Sequence, residues 1–107
     1  MSVPLPKRGD VWLADLPGDK IRPVVILTRE PVIRHLHAVI AAPVTSTVRG
    51  IPTEVSLARE EGLLHDSVAN FDNLQLVPRA RLVRRIGALS RSKLTDACRA
   101  LRFATAC

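Results

Sequence analysis

Tyrosine is absent from the chain, and Trp12, Phe71 and Phe103 are its only aromatic residues. A core with so little ring bulk has to be filled by Val, Ile, Leu and Ala, and few rings are left to stack on exposed bases. Cysteine is equally scarce: Cys98 and Cys107 lie close together near the C-terminus, which excludes a disulfide framework and offers no metal-type spacing. His35, His37 and His65 form no ligand set with them, so neither a metal nor a cofactor is expected. No apolar run approaches the roughly 20 residues that a membrane helix needs, and Met1–Arg8 is too short and proline-punctuated for a signal peptide. A cytoplasmic location is the expectation. Linkers, repeats and low-complexity stretches are also missing, so residues 1–107 read as one domain behind a short N-terminal tail, 1–7.

What is present is positive charge. The formal net charge is +6, and 13 of the 16 basic residues are arginine. The planar guanidinium fork matches phosphate and keeps its charge when partly desolvated, so a nucleic acid or another polyanion is favoured as partner. An apolar fraction of 47% excludes wholesale disorder.

Short β-branched segments dominate the first four fifths of the chain. Val11–Leu16, Pro23–Thr28, Ala38–Thr47 and Thr53–Leu57 read as strands, with Pro43 placing the second half of the third at an edge or bulge. Ser67–Phe71, Leu74–Val77 and Leu82–Ile86 continue the series. The period then changes: Leu94, Ala97, Cys98, Leu101 and Ala104 share one face of a helix over about 91–104, which Ser90 or Ser92 can cap. The fold class is therefore mainly β, a small barrel closed by a C-terminal helix, with Trp12, Phe71 and Cys98 in the core.

With these elements in order, the chain resembles the MazF/PemK toxin family. Arg8-Gly9-Asp10-Val11-Trp12 resembles the family's opening strand, and Arg22-Pro23-Val24-Val25-Ile26-Leu27 its second. Pro43-Val44-Thr45-Ser46-Thr47, then Gly50-Ile51-Pro52-Thr53-Glu54-Val55, resemble the third strand, hairpin and fourth strand. Gly62-Leu63, Ser67-Val68-Ala69-Asn70 and Ile86-Gly87-Ala88-Leu89 follow at compatible spacings, so the resemblance covers about residues 8 to 104. It implies an SH3-like, CcdB-like barrel, a two-fold homodimer, metal-independent endoribonuclease activity on single-stranded RNA, and inhibition by a cognate antitoxin. It also implies that Arg22 and Thr45 are the catalytic pair.

RNA breaks without a metal when its own 2′-hydroxyl attacks the neighbouring phosphorus. Such a site must accept a proton, stabilise the phosphoryl oxygens and protonate the leaving oxygen. Arg22 can clamp the phosphate with paired hydrogen bonds, and Thr45 can donate its hydroxyl to a non-bridging oxygen. Ser46 and Thr47 are expected to support the pocket, with Lys20, Arg49, Arg79, Arg81, Arg84 and Arg85 tracking the RNA backbone. Arginine keeps its proton, which makes Arg22 an electrostatic group and leaves the general base open; Asp19 and Lys20 lie in the loop just before it. His35 and His37 read as a surface pair. Taken singly, Arg22 also fits a structural ion pair and Thr45 simple β-propensity.

Two other functions compete. A gyrase poison similar to CcdB would act on the same barrel by binding alone, but the ending Phe103-Ala104-Thr105-Ala106-Cys107 lacks that family's terminal motif. A non-catalytic RNA-binding barrel would need only the charge.

Overall fold

The computed structural model describes residues 3–107, and within them the β-branched runs form strands with apolar side chains on both faces. In chain order these are β1 (Asp10–Asp15), β2 (Ile21–Ile26), a single helical turn α1 (Glu30–Ile33), β3 (Ala38–Thr45), β4 (Glu54–Leu57), β5 (Ser67–Asn70), β6 (Gln75–Pro78), β7 (Leu82–Ala88) and helix α2 (Arg91–Thr105). Short 3₁₀ turns occupy Arg59–Glu61, Phe71–Asn73 and Arg79–Arg81. None of the described helices is long and apolar enough to cross a membrane.

Every strand pair is antiparallel, in the order β4-β5-β3-β2-β1-β7, with β6 beside the first half of β3. Alternation divides the strands between two cores. Val11, Val25, Ala42, Val44 and Val55 face one that holds Phe71 and is covered by α2. Ala14, Val24, Ile26, Val39 and Ala41 face the other, with Ile33 of α1, Val77, Leu82 and the half-buried Trp12. Burial on both faces is why these segments read as continuous apolar runs. The family's opening motif has a local cause as well. Gly9 turns at φ +89°, and the buried Asp10 carboxylate accepts from the Lys7 amide (2.8 Å), the Trp12 indole (3.1 Å) and Arg85 Nε (3.1 Å).

Three details differ from the sequence expectation. The barrel does not close as a hydrogen-bonded ladder, because β4 and β7 remain the two ends of the strand order. The Arg59–Gly62 turn fills that gap and lays its backbone directly on β7. A Cβ on Gly62 would fall on the Ile86 carbonyl, and one on Gly87 on the Glu61 carbonyl, so only glycines permit the approach. Second, Cys98 is half-buried beside Arg8, whose Nη2 donates to Sγ at 3.2 Å; Ala97 and Ala100 are the deeply buried positions of α2. The core meridian of the helix is thus rotated slightly from the one its apolar periodicity suggests. Third, α1 intervenes before β3, and His35 and His37 lie exposed in the turn after it. The cap of α2 is Ser90, whose hydroxyl accepts from the Lys93 amide at 3.2 Å.

Strand β3 organises the functional end. Its first half pairs with β6 through Ala41, its last two residues pair with β5, and Pro43 stands at the handover, next to the position where a ladder donor is least needed.

Candidate functional site

Strands β2 and β3 run antiparallel with Val25 opposite Ala42 and Val24 opposite Pro43. Continuing that register by two residues sets Arg22 across from Thr45, at the end of the sheet where both strands give way to loops. These two side chains form a ridge between two open clefts. The first, of about 240 Å³, is lined by Asp19, Arg22, Thr45, Thr47, Arg49 and Glu54, together with Asn70, Asn73 and Gln75. The second, of about 380 Å³, shares Arg22 and Thr45 and adds Ser46, His65 and Arg84 among the apolar Leu13, Leu63, Leu64 and Ile86.

The donors on the ridge are left available. Thr45 Oγ1 accepts from the Thr47 amide at 3.1 Å, which uses a lone pair and leaves the hydroxyl proton free to donate outward. Asp19 Oδ2 stands 2.7 Å from Arg22 Nε, yet Nε–H is not aligned with it and makes no hydrogen bond. The contact is an ion pair between two half-exposed side chains (40% and 38% accessible), which an anion can outbid. The Lys20 amide, donating to Asp19 Oδ1 at 2.8 Å, and the neighbouring Arg22 guanidinium hold the Asp19 carboxyl below its ordinary value. Asp19 is therefore a carboxylate at neutral pH.

The residues expected to contact RNA separate into two groups. Arg22, Thr45, Ser46, Thr47, Arg49 and Arg84 are brought to the clefts. Lys20 is exposed in the β1–β2 loop but lines neither cleft. Arg81 pairs with Asp15 at 3.7 Å, and Arg85 reaches back to the buried Asp10. Arg79 is engaged most fully. Its guanidinium donates to the carbonyls of Pro4 (2.8 Å), Leu36 (3.1 Å), and Ile33, Arg34 and Val3 (3.4 Å each), pinning the N-terminal segment and the α1 turn. It stands at the far end of β3 and lines neither cleft. Arg84 and Arg85 are consecutive in β7, opposite Leu13 and Trp12, so strand alternation turns them to opposite faces; the register irregularities flank the pair, at Ile86 and Val83.

Sequence reasoning overlooked Glu54, Asn70, Asn73 and Gln75. Glu54, Asn70 and Gln75 sit at strand ends and Asn73 in a 3₁₀ turn, where such residues read as ordinary turn chemistry. His65 was noticed in the sequence without a role, and it is the one described histidine at the clefts.

Comparison with known proteins agrees with this geometry. Residues 7–105 match the family described as PemK-like, MazF-like toxin of type II toxin-antitoxin system. The chain is 43% identical over 102 residues to the probable endoribonuclease MazF2 of Mycobacterium tuberculosis, covering 94% of this chain and 99% of that protein. Its fold superposes on the Mycobacterium tuberculosis toxin MazF-mt6 with a TM-score of 0.85 at 43% identity, covering 91% of this chain and 96% of the other. A mycobacterial endoribonuclease solved in complex with its cognate antitoxin gives a TM-score of 0.85 at 29% identity, with 94% and 95% covered. This chain belongs to the PemK-like, MazF-like toxins of type II toxin–antitoxin systems.

Proposed function

We propose that this toxin is an endoribonuclease that cleaves single-stranded RNA sequence-selectively and without a metal, using Arg22 and Thr45 as its catalytic pair. The observation that carries the assignment is the Arg22–Thr45 ridge, with the Thr45 hydroxyl proton left free by the Thr47 amide. The 2′-oxygen forms a bond to phosphorus, the bond to the 5′-oxygen breaks, and the products are a 2′,3′-cyclic phosphate and a 5′-hydroxyl. One proton leaves the 2′-hydroxyl and one reaches the 5′-oxygen. Negative charge grows on the non-bridging oxygens meanwhile, where the guanidinium of Arg22 and the hydroxyl of Thr45 can hold it. Asp19, an ionised carboxylate beside Arg22, and His65, in the second cleft, are the groups at the ridge able to take and return protons. Arg49 and Arg84, one in each cleft, extend the positive surface along the RNA in both directions.

An antitoxin is the second partner. The clefts are open and basic, so an acidic segment that folds on binding can cover them and block RNA, as the antitoxin-bound relative suggests. The working form is a homodimer in the cytoplasm, where its RNA substrate is. The related proteins are endoribonucleases, and no observation at the site favours gyrase binding.

The test is cleavage of a long unstructured RNA in EDTA, with the ends mapped by primer extension. Wild-type protein is expected to cut at a defined motif. Thr45→Ala, and Arg22→Ala at least as much, should lose on the order of 10²–10³ in rate without loss of fold. Absence of cutting by folded wild type, or full activity in both variants, rejects the assignment.

A further inference from the structure

The first cleft contains an acceptor that a phosphate cannot satisfy. Glu54, at the start of β4, is half-buried in its wall. Oε1 accepts from the backbone amides of Arg49 (3.0 Å) and Gly50 (2.9 Å), which fixes the carboxylate against the 49–50 turn. Oε2 is buried and has no hydrogen-bond partner among the described residues. An unpartnered carboxylate oxygen is unusual in a folded protein, and here it stands beside a surface built for a polyanion. The phosphodiester has no proton to offer it. A nucleobase does.

Resting on the ribonuclease reading above, we propose that Glu54 is a specificity-determining residue whose Oε2 accepts from the exocyclic amino group of a cytosine or adenine seated in the first cleft. The geometry selects among bases. Guanine is read by a carboxylate through both oxygens at once, and Oε1 is already occupied by the turn. Uracil presents carbonyl oxygens on either side of its single N–H, and these would face the carboxylate with like partial charge. Cytosine N4 and adenine N6 each supply a donor suited to one oxygen. Asn73 and Gln75, which line the same cleft, carry amides that can complete the base edge with either a donor or an acceptor.

Glu54→Gln separates this role from the others. Its carbonyl oxygen can keep the Arg49 and Gly50 amides, while its NH₂ replaces the free acceptor with a donor. Single-turnover cleavage of a randomised single-stranded RNA library by wild type and E54Q reads the preference at each position. Wild type is expected to favour C or A over U at one position by about tenfold. In E54Q that ratio should collapse or invert towards U, with the remaining positions unchanged. An identical preference profile in both proteins, or a uniform rate loss with no change in preference, overturns the proposal and assigns Glu54 to turn support or proton transfer. If E54Q melts below wild type, the same question is put to wild type alone. An RNA carrying purine, which lacks the amino group, in place of the favoured adenine, or uracil in place of cytosine, should be cut about tenfold more slowly. Equal cutting overturns the proposal. Wild type that cuts indiscriminately rejects this inference and the sequence selectivity it rests on but leaves the ribonuclease activity standing, whereas wild type that cuts nothing rejects all of them.

Discussion

The two ends of β3 each carry an arginine, and the two differ in where their donors go. At the Ala38 end, Arg79 is ringed by backbone carbonyls from the N-terminal segment and the α1 turn. Those carbonyls are held by the chain and cannot swing aside, so the guanidinium acts as a clip. At the Thr45 end, Arg22 has the half-exposed Asp19 carboxylate beside it and an unaligned Nε–H. A carboxylate on a loop yields to a phosphate in a way that a fixed carbonyl cannot. Identical side chains thus divide into structural and functional according to whether their partners can be displaced.

Replacing Arg79 with Met is the most severe way to challenge that division. It removes a charged donor set from several carbonyls while keeping much of the aliphatic stem. A loss of about 2–3 kcal/mol is expected in urea or thermal unfolding, with the cleavage motif unchanged below the melting range. An unaltered midpoint together with weakened RNA binding would place Arg79 on the functional side after all.

A milder contrast lies between β7 and the 3₁₀ turn before it. Arg84→Ala should lower the slope of log affinity against log salt by about 1 for RNA binding, with little effect on melting. Arg81→Ala should leave that slope unchanged, since Arg81 faces Asp15 away from both clefts. The exposed ion pair it loses is worth about 0–1 kcal/mol at most. Equal slopes for both variants would mean that the basic surface acts as a whole and that strand placement does not sort it.

The smallest effect concerns Asp19. The Lys20 amide, and then Arg22, depress its folded-state pKa below the ordinary 3.8. Its contribution to stability is therefore present above 3.8 and disappears as pH falls through the lower folded value. In Asp19→Asn the pH dependence of unfolding below 3.8 should flatten slightly, and an NMR titration of the wild-type carboxyl should show a midpoint under 3.8. A midpoint at or above that value would mean that neither the Lys20 amide bond nor the Arg22 contact is kept in solution.

Much of the fold was legible beforehand because two-sided burial leaves an unbroken signal. Val24, Val25 and Ile26 alternate between two cores, so all of them are apolar and β-branched. The period of α2 was equally plain, with Ser90 one of the two serines able to cap it. Helix α1 was not, since four residues carry no period to detect. Arg22 and Thr45 were singled out through family resemblance, because 22 positions of intervening chain hide the fact that one register faces them together. The run from Arg79 to Arg85 read as one basic patch; a 3₁₀ turn and then strand alternation send its members to backbone carbonyls, an ion pair, a cleft and a buried aspartate.

By itself the sequence determined the local choices: which segments are strands, where the helix starts, and that the surface is cationic. Those depend on neighbours along the chain and on side-chain chemistry. Only the tertiary structure decided which cations are free, that Glu54 keeps an oxygen without a partner, and that glycines 62 and 87 let a turn seal the open side of the sheet. Each of these depends on groups brought close from distant parts of the chain, and no local pattern records who those neighbours are.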